Sequence, residues 1–194
     1  MDIIGAINNI TGLDLVIYFA FAGMFILGYM QGVVRRLVGI GTTLLSLLVA
    51  AQLRDPLGSF LASNWTQYTR DYNYMLAFGF VFLAGFIGSV IATQLFFKPA
   101  PLFAKYPVLD ELLGGFLGLL QAALFLSVFF LITDPFFTVS GTVARGNEIV
   151  FIRQFHEAFQ ATVTESVVRN QFVPALLFFF GGLFPSDVTS VFRN

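Results

Sequence analysis

Four long stretches of the chain contain no charged residue. They cover positions 15–34, 37–53, 72–97 and 112–133 and hold 20, 17, 26 and 22 residues respectively. The hydrocarbon core of a bilayer takes roughly 20 helical residues to cross. No water is available there to bond a free backbone N–H or C=O group, so each stretch should be a helix. The pattern predicts an all-α integral membrane protein with four transmembrane helices.

Turn signals separate these four stretches. Gly28, Gln31 and Gly32 mark a turn between the first two helices, which we expect to form a tight hairpin. Positions 54–58 contain proline and glycine, which continue a helix poorly, and are expected to end the second helix. The tryptophan and tyrosines that follow are predicted to lie at the membrane–water boundary, where such amphipathic rings accumulate.

The last third of the chain has a different pattern. Its apolar residues recur at spacings of three and four, the period of an amphipathic helix, at Ile152, Phe155, Phe159, Val163 and Val167. Positions 172–184 form a 13-residue apolar run, a length that favours an interfacial or re-entrant segment over a fifth spanning helix. We therefore predict a four-helix transmembrane domain over 1–134. An amphipathic tail over 135–194 would lie on the membrane or pack on the bundle.

Composition agrees with the membrane assignment and indicates which kinds of partner to expect. The chain is 57% hydrophobic and 11% charged, with a mean hydropathy of +0.84, whereas soluble domains are about 25% charged. A net charge of −1, with no basic run beyond Arg35-Arg36, predicts no nucleic-acid partner. The lipid bilayer is the expected partner, and a homo-oligomer or a larger membrane complex is left open. The absence of cysteine excludes disulfides and iron–sulfur clusters.

Lysine and arginine are unevenly distributed among the loops. The loops after the first and third predicted helices carry four of them, against two in the intervening loop and none before the first helix. The positive-inside rule places the two richer loops in the cytoplasm, with both termini and the tail outside it. The residues that carry this bias are Arg35, Arg36, Lys98 and Lys105.

Pairs of small residues four positions apart allow membrane helices to approach closely. We interpret these pairs as packing between helices of this chain, with oligomer contacts as the alternative. The pairs are Gly28 and Gly32, Gly85 and Ser89, and Gly114 and Gly118.

The polar residues within the spans are uncharged. Gln31, Gln94 and Gln121 are candidates to hydrogen-bond across helices or, less favoured, to line a polar cavity. Because no ionisable residue is expected deep within a span, proton-coupled transport is disfavoured. His156 is interpreted as a surface histidine, since a metal site needs several converging ligands.

Ionisable residues suggest helix capping and no catalytic chemistry. Asp14 and Asp110 each precede an apolar helix and are expected to cap it. Nothing resembles a nucleophile–base pair, a phosphate-binding loop or paired catalytic carboxylates. We therefore predict no enzymatic activity, no catalytic residue, no cofactor and no bound metal.

Two segments carry a family resemblance. Leu-Asp-Leu-Val-Ile at 13–17 with Gly-Val-Val-Arg-Arg at 32–36, and more strongly the run Leu-Asp-Glu-Leu-Leu-Gly-Gly-Phe-Leu-Gly-Leu-Leu-Gln at 109–121, resemble the colicin V production protein (CvpA) family. The residues that match the family pattern are Asp14, Asp110, Gly114 and Gly118. Where the family often has arginine, this chain has Gln31 and Gln121.

The resemblance implies a multi-pass protein of the bacterial plasma (inner) membrane. It also implies a non-enzymatic role in toxin production or secretion, or in maintaining the cell envelope. Two alternatives remain: a structural or accessory subunit of a larger membrane protein complex, and a channel or transporter for an uncharged solute.

Overall fold

Helices account for every regular element that the computed structural model describes. It describes residues 11–96, 102–103, 105–137, 148–190 and 192, and Lys98 lies outside this set. The long helices are α1 (Gly12–Asn64), α2 (Arg70–Phe96) and α3 (Pro107–Phe137). The tail contains α4 (Val150–Gln160), α5 (Val163–Val167), a π-helical turn (Val168–Phe172), α6 (Val173–Phe180), a 3₁₀ turn (Gly181–Leu183) and α7 (Ser186–Ser190).

The first half of α1 runs antiparallel to α3. Gly28 packs against Gly114, and Met24, one turn earlier in α1, packs against Gly118, one turn later in α3. The order of contacts along one helix is therefore the reverse of the order along the other.

The second half of α1 runs in the opposite direction. Val33 contacts Asp110 through its backbone N–H, and Gly39, further along α1, contacts Gln121, further along α3. The reversal falls at Gly32, whose φ of 73° and ψ of 175° are non-helical. A positive φ is open to glycine at little steric cost. The predicted hairpin between the first two apolar stretches is confirmed.

The second helix of this hairpin does not end where we expected. It continues past Pro56 to Asn64, so the prediction of a break at 54–58 is wrong. The ring of Tyr74 in α2 packs on this turn: a Cβ added at Gly58 would lie 2.7 Å from Tyr74 Cγ, and the Arg54 guanidinium lies 5.6 Å from the ring centroid. Packing between helices overrides the local preference of proline to stop one.

Four helical segments are long and apolar enough to cross a membrane: α1, α2, α3 and Val163–Leu183. Because α1 reverses at Gly32, it supplies the first two of the four predicted spans, and α2 and α3 supply the others. Large apolar side chains such as Phe19, Met30 and Phe96 lie exposed on the outside of these helices. That distribution suits contact with lipid tails.

The segment Val163–Leu183 packs across one end of the bundle. Its first residues contact Asp14, and the Leu183 carbonyl accepts a hydrogen bond from Gln52. At a rise of about 1.5 Å per residue, Asp14 and Gln52 both lie roughly 30 Å from Gly32 along their helices. We call this end of the bundle the far end, and the opposite one the Gly32 end.

Candidate functional site

Three glycines let α1 and α3 cross with their backbones in contact. A Cβ added at Gly28 would lie 2.2 Å from the Gly114 carbonyl oxygen, and one at Gly118 would lie 2.1 Å from the Met24 carbonyl oxygen. A backbone atom cannot move aside as a flexible side chain can, so any side chain would force the helices apart. The structure thus brings two predicted small-residue pairs together within one chain.

The third small-residue pair does not form such a crossing. A Cβ added at Gly85 would meet Ser46 at 3.4 Å, an ordinary van der Waals distance. The Ser89 carbonyl accepts a hydrogen bond from the Thr93 hydroxyl in its own helix, at 2.7 Å. Gly85 and Ser89 therefore do not bring two helix backbones into contact as the glycines of α1 and α3 do.

Asp110 joins three segments at the Gly32 end. It lies inside α3 and is buried, and its Oδ1 accepts hydrogen bonds from the backbone N–H groups of Leu102 and Phe103 at 3.1 and 3.3 Å. Its Oδ2 accepts from the N–H of Val33 at 3.4 Å, directly after the break at Gly32. Asp110 lies in the first turn of α3, where a carboxylate complements the helix dipole as expected. Its hydrogen bond to the start of the second half of α1 was not predicted.

Arg36 is buried between α1 and α3, although it stands beside the half-buried Arg35. Only 5% of it is exposed, and its Nη1 donates to Gln121 Oε1 at 2.8 Å. Gln121 Nε2 lies 3.5 Å from the Thr43 hydroxyl oxygen. The Arg36 Nε atom has no hydrogen-bond partner within the described chain. Arg36 adjoins the uncharged stretch at 37–53 and does not lie deep within it. Its side chain nevertheless turns inward to Gln121, a contact that sequence reasoning did not predict.

A cavity of about 210 Å³ opens beside Arg36, between α1, α2 and α3. Its polar lining includes Gln31, Arg35, Arg36, Gln94 and Gln121 together with two threonines, and we call it the polar cavity. Gln31 and Gln94 are exposed at its rim, whereas Arg36 and Gln121 are buried at its base. The three glutamines singled out from sequence therefore line one cavity. Gln121 both lines this cavity and hydrogen-bonds across helices, so the two interpretations of its role are compatible.

The remaining topology residue that the structure describes stands apart from this cavity. Lys105 is exposed in the segment that precedes α3, at the Gly32 end of the bundle. It shares that end with Arg35 and Arg36 but does not line the polar cavity.

Asp14 performs the predicted capping and also binds the tail. Its Oδ2 accepts from the Thr11 backbone N–H at 3.0 Å, and the Thr11 hydroxyl accepts from the Asp14 N–H at 3.2 Å, which completes a capping box at the start of α1. The same carboxylate accepts from the Val163 N–H at 3.4 Å and from the Thr164 hydroxyl at 3.1 Å. One buried acidic residue therefore fixes the first helix to the start of α5.

Asp134 and Arg169 form a second link between bundle and tail. Asp134 is fully buried in α3, which continues beyond it to Phe137. Its Oδ2 accepts from Arg169 Nη2 at 2.5 Å and from Nε at 3.1 Å, and Arg169 Nη1 also pairs with Glu165 at 2.8 Å. The charge of Asp134 is thus compensated by a cation from the π-helical turn.

His156 is buried, so the expectation of a surface histidine is wrong. Only 1% of it is exposed, and its ring stacks on Phe137 with centroids 4.7 Å apart. Nδ1 lies 3.1 Å from the Thr133 hydroxyl, which itself donates to the Phe129 carbonyl, and Nε2 lies 2.9 Å from the amide nitrogen of Gln160. This pattern assigns a neutral ring with its proton on Nδ1.

Burial is the main cause of that protonation state. It lowers the pKa of His156 to about 4, and the positive charges of Arg169 and Arg153 lower the pKa further. The ring is therefore uncharged near neutral pH.

Sequence reasoning missed Arg169, Asp134 and His156 as bundle–tail contacts. The i,i+4 spacing of Glu165 and Arg169 was a visible signal for an ion pair on one helix face. Their partner Asp134 lies 35 positions before Arg169, and no periodicity connects positions in different helices.

The reversed hairpin, the glycine crossing and the apolar exterior define a helical integral membrane protein. The family model described as "Colicin V production protein" matches residues 13–172, most of the chain. The chain therefore belongs to the colicin V production protein family, as the resemblance predicted. Searches of curated proteins and of solved structures found no match.

Proposed function

We propose that this protein is a non-enzymatic membrane component that supports toxin production and secretion or maintains the cell envelope. The family match carries this proposal, since it extends from the start of α1 through the π-helical turn. The matched region therefore includes both Asp14 and Arg169, the residues that join bundle and tail. The working unit in this proposal is the bundle with its attached tail.

Complementation of a deletion strain tests this role. The wild-type gene should restore toxin secretion or resistance to envelope stress, and Gly118→Leu should not, because it separates α1 from α3. Gly23→Leu is the matched control, since a Cβ at Gly23 meets nothing within 4 Å. If the deletion strain keeps both toxin secretion and resistance to envelope stress, the proposed role is contradicted. Substrate turnover by the purified chain alone would contradict its non-enzymatic character.

The proposal includes an orientation in the plasma membrane with both termini outside the cytoplasm. The charge bias of Arg35, Arg36, Lys98 and Lys105 supports it. The chain has no cysteine, so single cysteines can be introduced without a background. A membrane-impermeant maleimide added to intact spheroplasts should label Glu157→Cys and leave Lys105→Cys unlabelled. The opposite labelling would reverse the orientation.

A second candidate is an accessory subunit of a larger membrane complex. Phe178 and Phe179 in α6 are 84% and 75% exposed, which leaves a large apolar surface at the far end. Extraction in mild detergent should then yield a species larger than the single chain, and Phe178→Ser with Phe179→Ser should reduce it. A wild-type chain that runs only at its own size would exclude this candidate.

The third alternative, passage of an uncharged solute, finds no support in the cavity. Arg35 and Arg36 both line it, so a neutral molecule there would leave their charges without a counter-charge.

A further inference from the structure

The polar cavity contains a buried cation that the described residues leave incompletely bonded. Among these residues Arg36 has one hydrogen bond, from Nη1 to Gln121, while its buried Nε has no acceptor. The ion pairs of the described residues include none to Arg36. A buried charge is costly unless it is paired and hydrogen-bonded. An acceptor from outside the chain would remove this cost.

The other polar groups around the cavity can also donate. Arg35 adds a second guanidinium, and the rim residues Gln31 and Gln94 add side-chain amides. Of the described residues, no aspartate or glutamate lines the cavity. A guanidinium donates through a planar fork that matches the oxygens of a phosphate, and a phosphate can accept from several donors at once. The lining therefore favours an anion with several oxygens.

The position of the cavity and its apolar walls indicate the source of this anion. Phe86, Val90 and Phe125 form apolar walls beside the polar groups. The cavity lies at the Gly32 end, where the charge-free stretches of the first two helices stop at Arg35 and Arg36. That is the level at which lipid phosphates meet a spanning helix. The volume of about 210 Å³ accommodates a head group and not a whole lipid.

We propose that the polar cavity binds a phosphate oxyanion, with Arg36 as its buried ligand and Arg35 as the second cation. The phosphate is that of an anionic lipid head group or free phosphate. This binding site is independent of the cellular role proposed above.

The test uses the full chain purified in a phosphate-free maltoside detergent. Phosphatidylglycerol, phosphatidylcholine and inorganic phosphate are added separately, and the melting temperature and the lipid retained in native mass spectrometry are measured. A ligand that binds only the folded chain raises its melting temperature. Phosphatidylglycerol or inorganic phosphate should raise the melting temperature of the wild-type chain. Arg36→Gln should weaken the apparent affinity for that ligand at least about tenfold, the usual effect of losing a charged hydrogen bond.

Lys105→Gln is the matched control, because it removes an exposed cation at the same end that does not line the cavity. A response to phosphatidylglycerol alone assigns the lipid head group, and one to inorganic phosphate alone assigns the free anion. If Arg36→Gln fails to fold, Arg35→Gln, at a half-buried position, should show the loss instead. No response to either probe, or equal losses in the cavity and control variants, would overturn the proposal.

Discussion

The two ends of the bundle bury charge in opposite ways. At the far end, Asp134 is fully buried and accepts two hydrogen bonds from Arg169. At the Gly32 end, Arg36 is buried to a similar degree, and its one hydrogen bond within the described part of the chain is to the neutral amide of Gln121. A buried charge that is paired within the chain holds two segments together. A buried charge without a counter-charge leaves bonding capacity for a ligand.

Removing one charge of the paired end should have the largest effect. Asp134→Ala removes the buried partner of Arg169, and we expect a cost of about 3 kcal/mol, the lower end for a broken buried ion pair. The reason is that the Arg169 side chain is 28% exposed and keeps its contact with Glu165. Chemical unfolding in detergent should show the loss, and limited proteolysis should cleave the tail first. Asp55→Ala is the control: its contact with Arg54 is 3.8 Å long and its side chain is 67% exposed. Equal effects of the two changes would contradict the distinction between the ends.

Acid should weaken the far end through His156. Its folded pKa of about 4 lies below the ordinary value of 6.5, so the unfolded state binds the proton more readily. The contribution of the neutral His156 to the free energy of unfolding is complete above pH 6.5. It is lost as the pH falls towards 4, by at most about 1.4 kcal/mol per pH unit. His156→Gln retains hydrogen-bonding groups without titrating in this range. Unfolding curves at several pH values should be flatter for this variant, and parallel curves would exclude His156 as a cause.

The backbone crossing of α1 and α3 should tolerate no side chain. Gly118→Ala places a Cβ 2.1 Å from the Met24 carbonyl oxygen, and overpacking of this kind typically costs about 1–3 kcal/mol. Gly23→Ala should have no such cost, since its Cβ meets nothing within 4 Å. The difference in melting temperature between the two variants measures the crossing. A Gly118→Ala variant as stable as Gly23→Ala would show that the helices are less closely packed there.

The smallest expected effect is a gain in stability, opposite in sign to the preceding ones. Arg36→Met removes a buried guanidinium that no described residue pairs with an opposite charge, and we expect a gain of about 1 kcal/mol in ligand-free detergent. The equivalent change at the paired end, Arg169→Met, should destabilise. Unfolding of both variants in the same detergent makes the comparison direct. A loss of stability in Arg36→Met would mean that the bond to Gln121 outweighs the cost of burial.

Local sequence patterns predicted the positions of the helices better than they predicted the contacts between helices. The charge-free stretches located all four predicted spans, and Gly32 marked the reversal of α1. Pro56 was misleading, because Tyr74 packs on that turn and the helix continues through it. Asp14 was interpreted correctly as a cap because a capping box is a contact between residues three apart.

Only part of the candidate site could be predicted from the sequence. Gln31, Gln94 and Gln121 were recognised individually as polar residues within apolar helices. Their convergence on one cavity depends on the rotation of three helices about their axes, which sequence patterns do not specify. Arg36 was assigned to a loop because it lies with Arg35 between two uncharged stretches, and its inward direction became visible only with α3 in place.

The amino-acid sequence alone was sufficient to predict a helical membrane protein of this family, with glycines where helix backbones meet. The reason is that hydrocarbon imposes helix length and apolar composition on each segment separately. The tertiary structure decided which charges are paired, since pairing joins residues as distant in sequence as Asp14 and Thr164, or Asp134 and Arg169. It also decided that Arg36 lies buried beside a cavity with no counter-charge from the residues that the structure describes, because its burial results from the packing of separate helices.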